Sequence, residues 1–237
     1  MTKRGLPPIL FAALPHIQST DQLRRCIMKI GIIGAGRMAE ALGARFAETG
    51  HQVFVGARDG VKAANLAQRI GVNADAGSPR EAVWFGDLLI LAVKRSAIAE
   101  ALQLSGSDDG MLAGKILVDC NNLGPDPEGT NSIAEEISLL SKGARVVKAF
   151  NCCHFEVWKL SPPVFDGRPL VVPICGDDTA AKEVVGNLIA GMGCRALDLG
   201  SLHKARHIEY LAAIVIGLLF SGFEANTVFN LITATEF

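Results

Sequence analysis

Met28-Lys29-Ile30-Gly31-Ile32-Ile33-Gly34-Ala35-Gly36-Arg37-Met38-Ala39-Glu40-Ala41-Leu42-Gly43 joins a short apolar strand, a Gly-x-Gly-x-x-Ala turn and the first turns of a helix. Each small residue in that order has its own task. Gly34 permits the tight turn, Gly36 lets a pyrophosphate approach the backbone, and Ala39 lets helix and strand pack closely. The helix N-terminus adds unpaired N–H groups and partial positive charge, both of which favour phosphate. The strand before the glycines and the helix after them separate this motif from a chance spacing.

Outward from the motif, strands and helices alternate with few residues to spare. Strands are expected at 29–33, 52–55, 72–76, 87–93, 115–119, 146–150, 170–175 and 195–199. Helices are expected at 37–49, 61–70, 78–84, 97–104, 133–140 and 178–192, with 202–231 predominantly helical. Met38, Leu42 and Phe46 recur at four-residue spacing on one helix face. Gly50 and Gly71 serve as helix stops, and Ser78-Pro79 as a helix start. Such alternation defines a doubly wound α/β fold of the Rossmann type, with a mainly parallel sheet and a small C-terminal helical portion. Residues 28–165 are expected to form the dinucleotide-binding domain, and 166–237 to complete the sheet and one side of a second pocket.

Residues 1–27 read differently. Lys3 and Arg4 precede a short apolar run broken by Pro7, Pro8 and Pro15, and no clean small-residue cleavage site follows. The stretch is expected to be a poorly ordered extension rather than a targeting signal, with Met28 as the natural first residue.

Composition narrows the function. With 23 Lys+Arg against 24 Asp+Glu, the net charge is -1 and no basic face for nucleic acid is implied. A hydrophobic content of 49% suits a sheet buried on both faces. The most apolar late segment, 211–223, is shorter than the roughly 20 residues a bilayer span needs. It is expected to bury a subunit interface, as in a homodimer, or one wall of the acceptor pocket, and no membrane partner is expected. The six cysteines (26, 120, 152, 153, 175 and 194) show neither Cys-x-x-Cys nor a ligand spacing. That argues against a metal site and against a disulfide framework, and places the chain in a reducing cytoplasm. The adjacent Cys152-Cys153 pair is read as packing, because disulfide geometry rarely suits sequence neighbours.

The end of the second strand decides which dinucleotide fits. An NAD enzyme places Asp or Glu about 20 residues beyond the glycines, to bind the ribose 2′-OH. Here that region reads Val55-Gly56-Ala57-Arg58-Asp59. Gly56 and Ala57 leave room for a 2′-phosphate, and Arg58 offers a forked guanidinium that matches it. Lys62 lies within reach from the next helix, and Arg37 adds a third positive charge. Asp59 stands just before a helix, where N-cap is its better role. NADP(H) is therefore expected.

Gly-x-Gly-x-x-Ala, Val55-Gly56-Ala57-Arg58, Val171-Val172-Pro173-Ile174-Cys175-Gly176-Asp177-Asp178 and Leu197-Asp198-Leu199-Gly200-Ser201-Leu202 together resemble the coenzyme F420-dependent NADP oxidoreductases, in order from Met28 to about Asn230. The resemblance implies that the loop of Gly34, Gly36, Arg37, Met38 and Ala39 holds the pyrophosphate. It also implies that Arg58 and Lys62 hold the 2′-phosphate, and that Ala92-Val93-Lys94 line the nucleotide. Lys148-Ala149-Phe150-Asn151 is more similar to the NADPH-binding domains of six-transmembrane ferric reductases, which pass hydride to a flavin.

Polar residues expected at the rim of the strand ends are Lys94, Asn121, Asn122, Lys148, Asn151 and His154. Hydride transfer between nicotinamide and a deazaflavin or flavin is mainly a matter of positioning two rings, and needs no triad. Asn121 and Asn151 are candidate amide donors to a carboxamide or acceptor ring; their other role is to end strands through local bonds. His154 is the one candidate general acid at that rim. The catalytic helix motif of β-hydroxyacid dehydrogenases, Gly-x-x-x-Lys-x-x-x-Asn, is matched at Gly200 and Lys204 but ends in Ile208. An imine reductase of the pyrroline-carboxylate type and a non-enzymatic NADP sensor are the alternatives to the flavin or deazaflavin reductase.

Overall fold

The structure is a computed structural model that describes residues 27–123 and 131–222. The expected extension at 1–26, Cys26 and the part of the last helix beyond 222 lie outside the described residues.

Four βα units open the chain: β1 (Lys29–Ile33) with α1 (Arg37–Glu48), β2 (Gln52–Gly56) with α2 (Gly60–Ile70), β3 (Ala74–Gly77) with α3 (Pro79–Phe85), and β4 (Leu88–Leu91) with α4 (Ile98–Leu104). β5 (Ile116–Asp119), α5 (Ile133–Leu140) and β6 (Arg145–Lys148) follow. A two-stranded hairpin, β7 (Val164–Phe165) and β8 (Arg168–Pro169), precedes β9 (Val171–Gly176), α6 (Thr179–Gly191), β10 (Arg195–Asp198) and α7 (Ala205–Phe220). Eight strands make one sheet in the order β10-β9-β6-β5-β4-β1-β2-β3. The first six repeat the doubly wound order, so β1 and β4 flank the point where the winding reverses.

All four residues of β4 are buried. Leu88 and Ile90 face the core under α1, α2 and α6, while Leu89 and Leu91 face the core under α4, α5 and α7. A strand covered on both faces has no polar side to alternate with, which explains its continuous aliphatic run. Helix ends follow local chemistry. Asp59 accepts the Lys62 amide at the start of α2, and Ser78 and Ser132 form capping boxes with Glu81 and Glu135.

Two features depart from the sequence reading. β9 runs antiparallel to β6, through Val147 opposite Gly176 and Lys148 opposite Cys175. The Pro-rich loop after 161 contains the short hairpin β7–β8. Most strands are also shorter than expected; β4 covers four residues where 87–93 was expected, because the chain turns outward after Leu91 into the site.

Candidate functional site

The glycine turn leaves β1 at the sheet's switch point. Gly34 has φ +124°, and a Cβ there would lie 2.2 Å from the Ala92 carbonyl oxygen, so this position accepts only glycine. Its N–H donates to Gly56 O at 2.8 Å, tying the ends of β1 and β2. Gly36 is different. It is the N-cap of α1, it makes no side-chain capping bond, and a Cβ on it would meet nothing within 4 Å. The first amides of α1 thus face open space without a side-chain acceptor, the condition for an anion site.

That space belongs to a cleft of about 510 Å³. Its floor is Ile33, Gly34, Ala35 and Gly36, one side is Gly56, Ala57, Arg58, Asp59 and Lys62, and the other is Ala92, Val93, Lys94, Ser96, Ala97 and Glu100. Nine of the expected nucleotide residues, Gly34, Gly36, Gly56, Ala57, Arg58, Lys62, Ala92, Val93 and Lys94, therefore share one cavity, and Asn121 does not line it. Arg58 is exposed and makes two 2.9 Å hydrogen bonds from Nη1 to the Glu100 carboxylate on α4.

Gly34→Ala and Gly36→Ala separate turn from cradle. Gly34→Ala is expected to destabilise the fold by on the order of 2 kcal/mol, from a forced φ and a backbone clash. Gly36→Ala is expected to keep stability within about 1 kcal/mol. It should still weaken NADPH binding at least about tenfold, as losing one charge-assisted hydrogen bond would. Urea unfolding with and without NADPH reads both effects.

Three expected loop residues sit elsewhere. Arg37 does not line the cleft; its guanidinium lies 4.7 Å from the centroid of Phe155, which Lys159 also approaches. Ala39 is wholly buried, and Met38 packs against the same core. Met38 and Ala39 offer the loop backbone and spacing, while the Arg37 guanidinium lies over Phe155.

The strand ends beyond the cleft are tightly bonded. Lys148, expected at the rim, is instead wholly buried at the end of β6. Its Nζ donates to Asp119 Oδ2 at 2.7 Å and to Asn121 O at 2.5 Å, and lies 2.7 Å from Glu209 Oε1 on α7. Glu209 also accepts the first amides of α5, Ile133 N at 2.8 Å and Ala134 N at 3.2 Å. Burial works against the Lys148 charge, but attraction to Asp119 and Glu209 outweighs it and raises the ammonium pKa. Burial pushes the Glu209 carboxyl up, against the pull of Lys148. Register pairs Asp119 with Lys148 across β5 and β6, so opposite charges ending two apolar strands were the signal available in the sequence.

Asn121 serves this cluster. Its backbone N–H and Nδ2 both donate to Asp119 Oδ1, at 2.9 and 2.7 Å, and Nδ2 also donates to Leu91 O. A carboxylate only accepts, so the amide orientation is fixed and both N–H groups are committed inside the protein. Asn122 and Asn151 clasp each other: Asn122 Nδ2 donates to Asn151 O at 2.7 Å, and Asn151 Nδ2 to Asn122 Oδ1 at 3.0 Å. Between Lys148 and Asn151 the chain turns through Phe150, a buried residue at φ +63°, where bulky side chains are rare. Edge-on packing against Phe46 and Trp158 holds it there. His154 is exposed, stacks on Phe155 and caps the following 3-10 turn by accepting the Glu156 N–H at 3.5 Å. Cys152 and Cys153 are free thiols, and burial pushes Cys153 up to about 12, far from a reactive thiolate. Among the described residues no group of three or more His, Cys, Asp or Glu side chains could hold a metal ion.

An uncapped helix start over a glycine turn, at the switch point of a doubly wound sheet, defines a dinucleotide-binding α/β domain. Residues 29–123 match the family model described as NADP oxidoreductase coenzyme F420-dependent. The F420-dependent NADP reductase of Methanocaldococcus jannaschii is 30% identical over 213 residues, covering 81% of this chain and 92% of that protein. The metalloreductase STEAP3 of Rattus norvegicus is 35% identical over 183 residues, which are 76% of this chain but only 36% of that longer protein. A solved structure of a candidate F420-dependent NADP reductase from Arthrobacter sp. FB24 superposes with a TM-score of 0.72 at 28% identity, covering 83% of this chain and 96% of that one. The chain belongs to the family of F420-dependent NADP oxidoreductases, and is an NADP-dependent oxidoreductase.

Proposed function

We propose that this protein moves hydride between NADP(H) and a deazaflavin of the F420 type, with a flavin as the second acceptor to consider. The observation that carries the nucleotide half is the single cleft joining the uncapped start of α1 to Arg58 and Lys62. Backbone amides of 34–39 hold the pyrophosphate, Arg58 and Lys62 take the 2′-phosphate, and Ala92, Val93 and Lys94 line the nucleotide. The bound nicotinamide supplies the hydride, so the chain's task is to hold, orient and shield. With both Asn121 N–H groups committed to Asp119 and Leu91, its Oδ1 is the atom offered to a carboxamide NH₂. The Asn122–Asn151 clasp stiffens the adjoining loops. His154, turned to solvent as a cap, is not needed as an acid, because a ring-to-ring hydride transfer requires no positioned proton donor.

No helix among the described residues is long and apolar enough to cross a membrane, and a cytoplasmic location is part of this proposal. So is a homodimer: Leu211 and Ile214, three residues apart on one face of α7, are apolar and exposed.

The test is anaerobic NADPH oxidation by the purified chain with F420, FMN, FAD, a cyclic imine or no acceptor. Turnover is expected with F420, or failing that with a flavin. Turnover with the imine alone overturns the proposal in favour of an imine reductase. Tight NADPH binding with no turnover of any acceptor overturns it in favour of a sensor.

A further inference from the structure

The cleft lining carries two carboxylates that a phosphate-binding pocket should not want, Asp59 and Glu100. Glu100 projects from α4 on the wall opposite Arg58, and both carboxylate oxygens accept from Arg58 Nη1 at 2.9 Å. The remaining charges around Arg58 sort differently. Asp59 is engaged as the cap of α2 and as the 3.5 Å partner of Lys62, and Lys94 contributes positive charge to the same lining. A guanidinium recognises carboxylate and phosphate through the same donors. The anion that Arg58 holds here is thus a member of the protein's own chain.

We propose that Glu100 is a specificity-determining residue that competes with the 2′-phosphate for Arg58, and so sets how tightly NADP(H) is held. This rests on the assignment of Arg58 to the 2′-phosphate. The exchange is physically easy. Both partners are about half exposed or more, with side-chain exposures of 75% for Arg58 and 48% for Glu100, so the ion pair is weak and water can take up the released carboxylate. A phosphomonoester carries more charge than a carboxylate and therefore displaces it. The displaced Glu100 remains on the pocket wall, where its charge repels the phosphate. The competition thus loosens NADP(H) and leaves NAD(H), which has no claim on Arg58, unaffected. For a cofactor that leaves after each turnover, a built-in competitor aids release. It also spans the cleft from the β2 side to the α4 side while the phosphate is absent.

The probes are 2′,5′-ADP and 5′-ADP, titrated calorimetrically into the wild type, Glu100→Gln, Arg58→Ala and the double variant. Glu100→Gln is expected to bind 2′,5′-ADP about three- to tenfold more tightly, with 5′-ADP unchanged and the gain shrinking as salt is raised. In the Arg58→Ala background the part of the gain that comes from competition should be lost, leaving only the smaller, salt-sensitive gain from relieved repulsion. Unchanged or weaker 2′,5′-ADP binding by Glu100→Gln, or an equal gain for both ligands, overturns the proposal. If Arg58→Ala alone leaves 2′,5′-ADP binding intact, the 2′-phosphate assignment fails instead, and the two failures are told apart. Glu100 is on the surface of a short helix, and circular dichroism of each variant confirms the fold.

Discussion

Arg58→Ala is expected to weaken NADPH binding by about 10- to 150-fold, the equivalent of roughly 1.5–3 kcal/mol for hydrogen bonds to a charged group. NADH should change by no more than about threefold, because the ribose of NADH offers Arg58 only a hydroxyl. The asymmetry comes from position. Arg58 follows β2 on a side wall of the cleft, apart from the glycine floor, so its removal leaves the backbone amides of the pyrophosphate cradle intact. It is also exposed and its carboxylate partner is surface-bound, so truncation strands no buried charge and the fold should be unaffected. Fluorescence titration with both cofactors checks the ratio. Equal losses for NADPH and NADH would sink the assignment of the 2′-phosphate to this arginine.

Lys148→Met is expected to destabilise the protein by about 3–5 kcal/mol, a large part of the 5–15 kcal/mol of a typical domain. Methionine fills much of the volume, but it leaves Asp119 and Glu209 buried and facing the same space without a cation. The Glu209 carboxyl, already pushed up by burial, loses the opposing pull of Lys148 and ionises only at still higher pH, so the folded variant holds more protons than the unfolded one. Stability falls with rising pH wherever the folded state binds more protons. In the wild type, Lys148 is held charged across the same range by both carboxylates. The deficit should therefore be largest near pH 8 and should narrow as the pH drops toward 5. Urea unfolding at three pH values measures it. A deficit below about 1 kcal/mol, or one independent of pH, would mean that the cluster is not the charged centre described.

The fold was legible because its signals are local. Lys29–Ile33 and Ile133–Leu140 begin and end where the pattern of apolar residues places them. The capping roles of Ser78 and Asp59 follow from residue type beside a helix start. The direction of β9 was not legible, because an aliphatic run reads alike in either direction and nothing in Leu170–Cys175 specifies antiparallel pairing. That Arg58 and Lys62 line the cleft beside the glycine turn was readable by spacing from the glycines, since the path from turn to β2 is set by the βαβ unit. Glu100 and Glu209 were not, because each acts across more than 40 residues of intervening chain. Glu209 did leave a trace, as an acid within a helix that is otherwise mostly apolar; such a charge calls for a buried partner. The contact of the Arg37 guanidinium with Phe155, which comes from a turn more than 100 residues away, was likewise not legible from adjacency to the loop.

The Glu209 contacts also bear on how the chain is made. Asp119 and Lys148 leave the ribosome well before residue 209, and until α7 docks, neither Lys148 nor the start of α5 has its last partner. A nascent chain that stops before α7 lacks the Glu209 carboxylate that completes the Lys148 cluster. Synthesis order and burial order are thereby linked, and completion of the strands that support the dinucleotide cleft waits on α7, which is made after β9, α6 and β10.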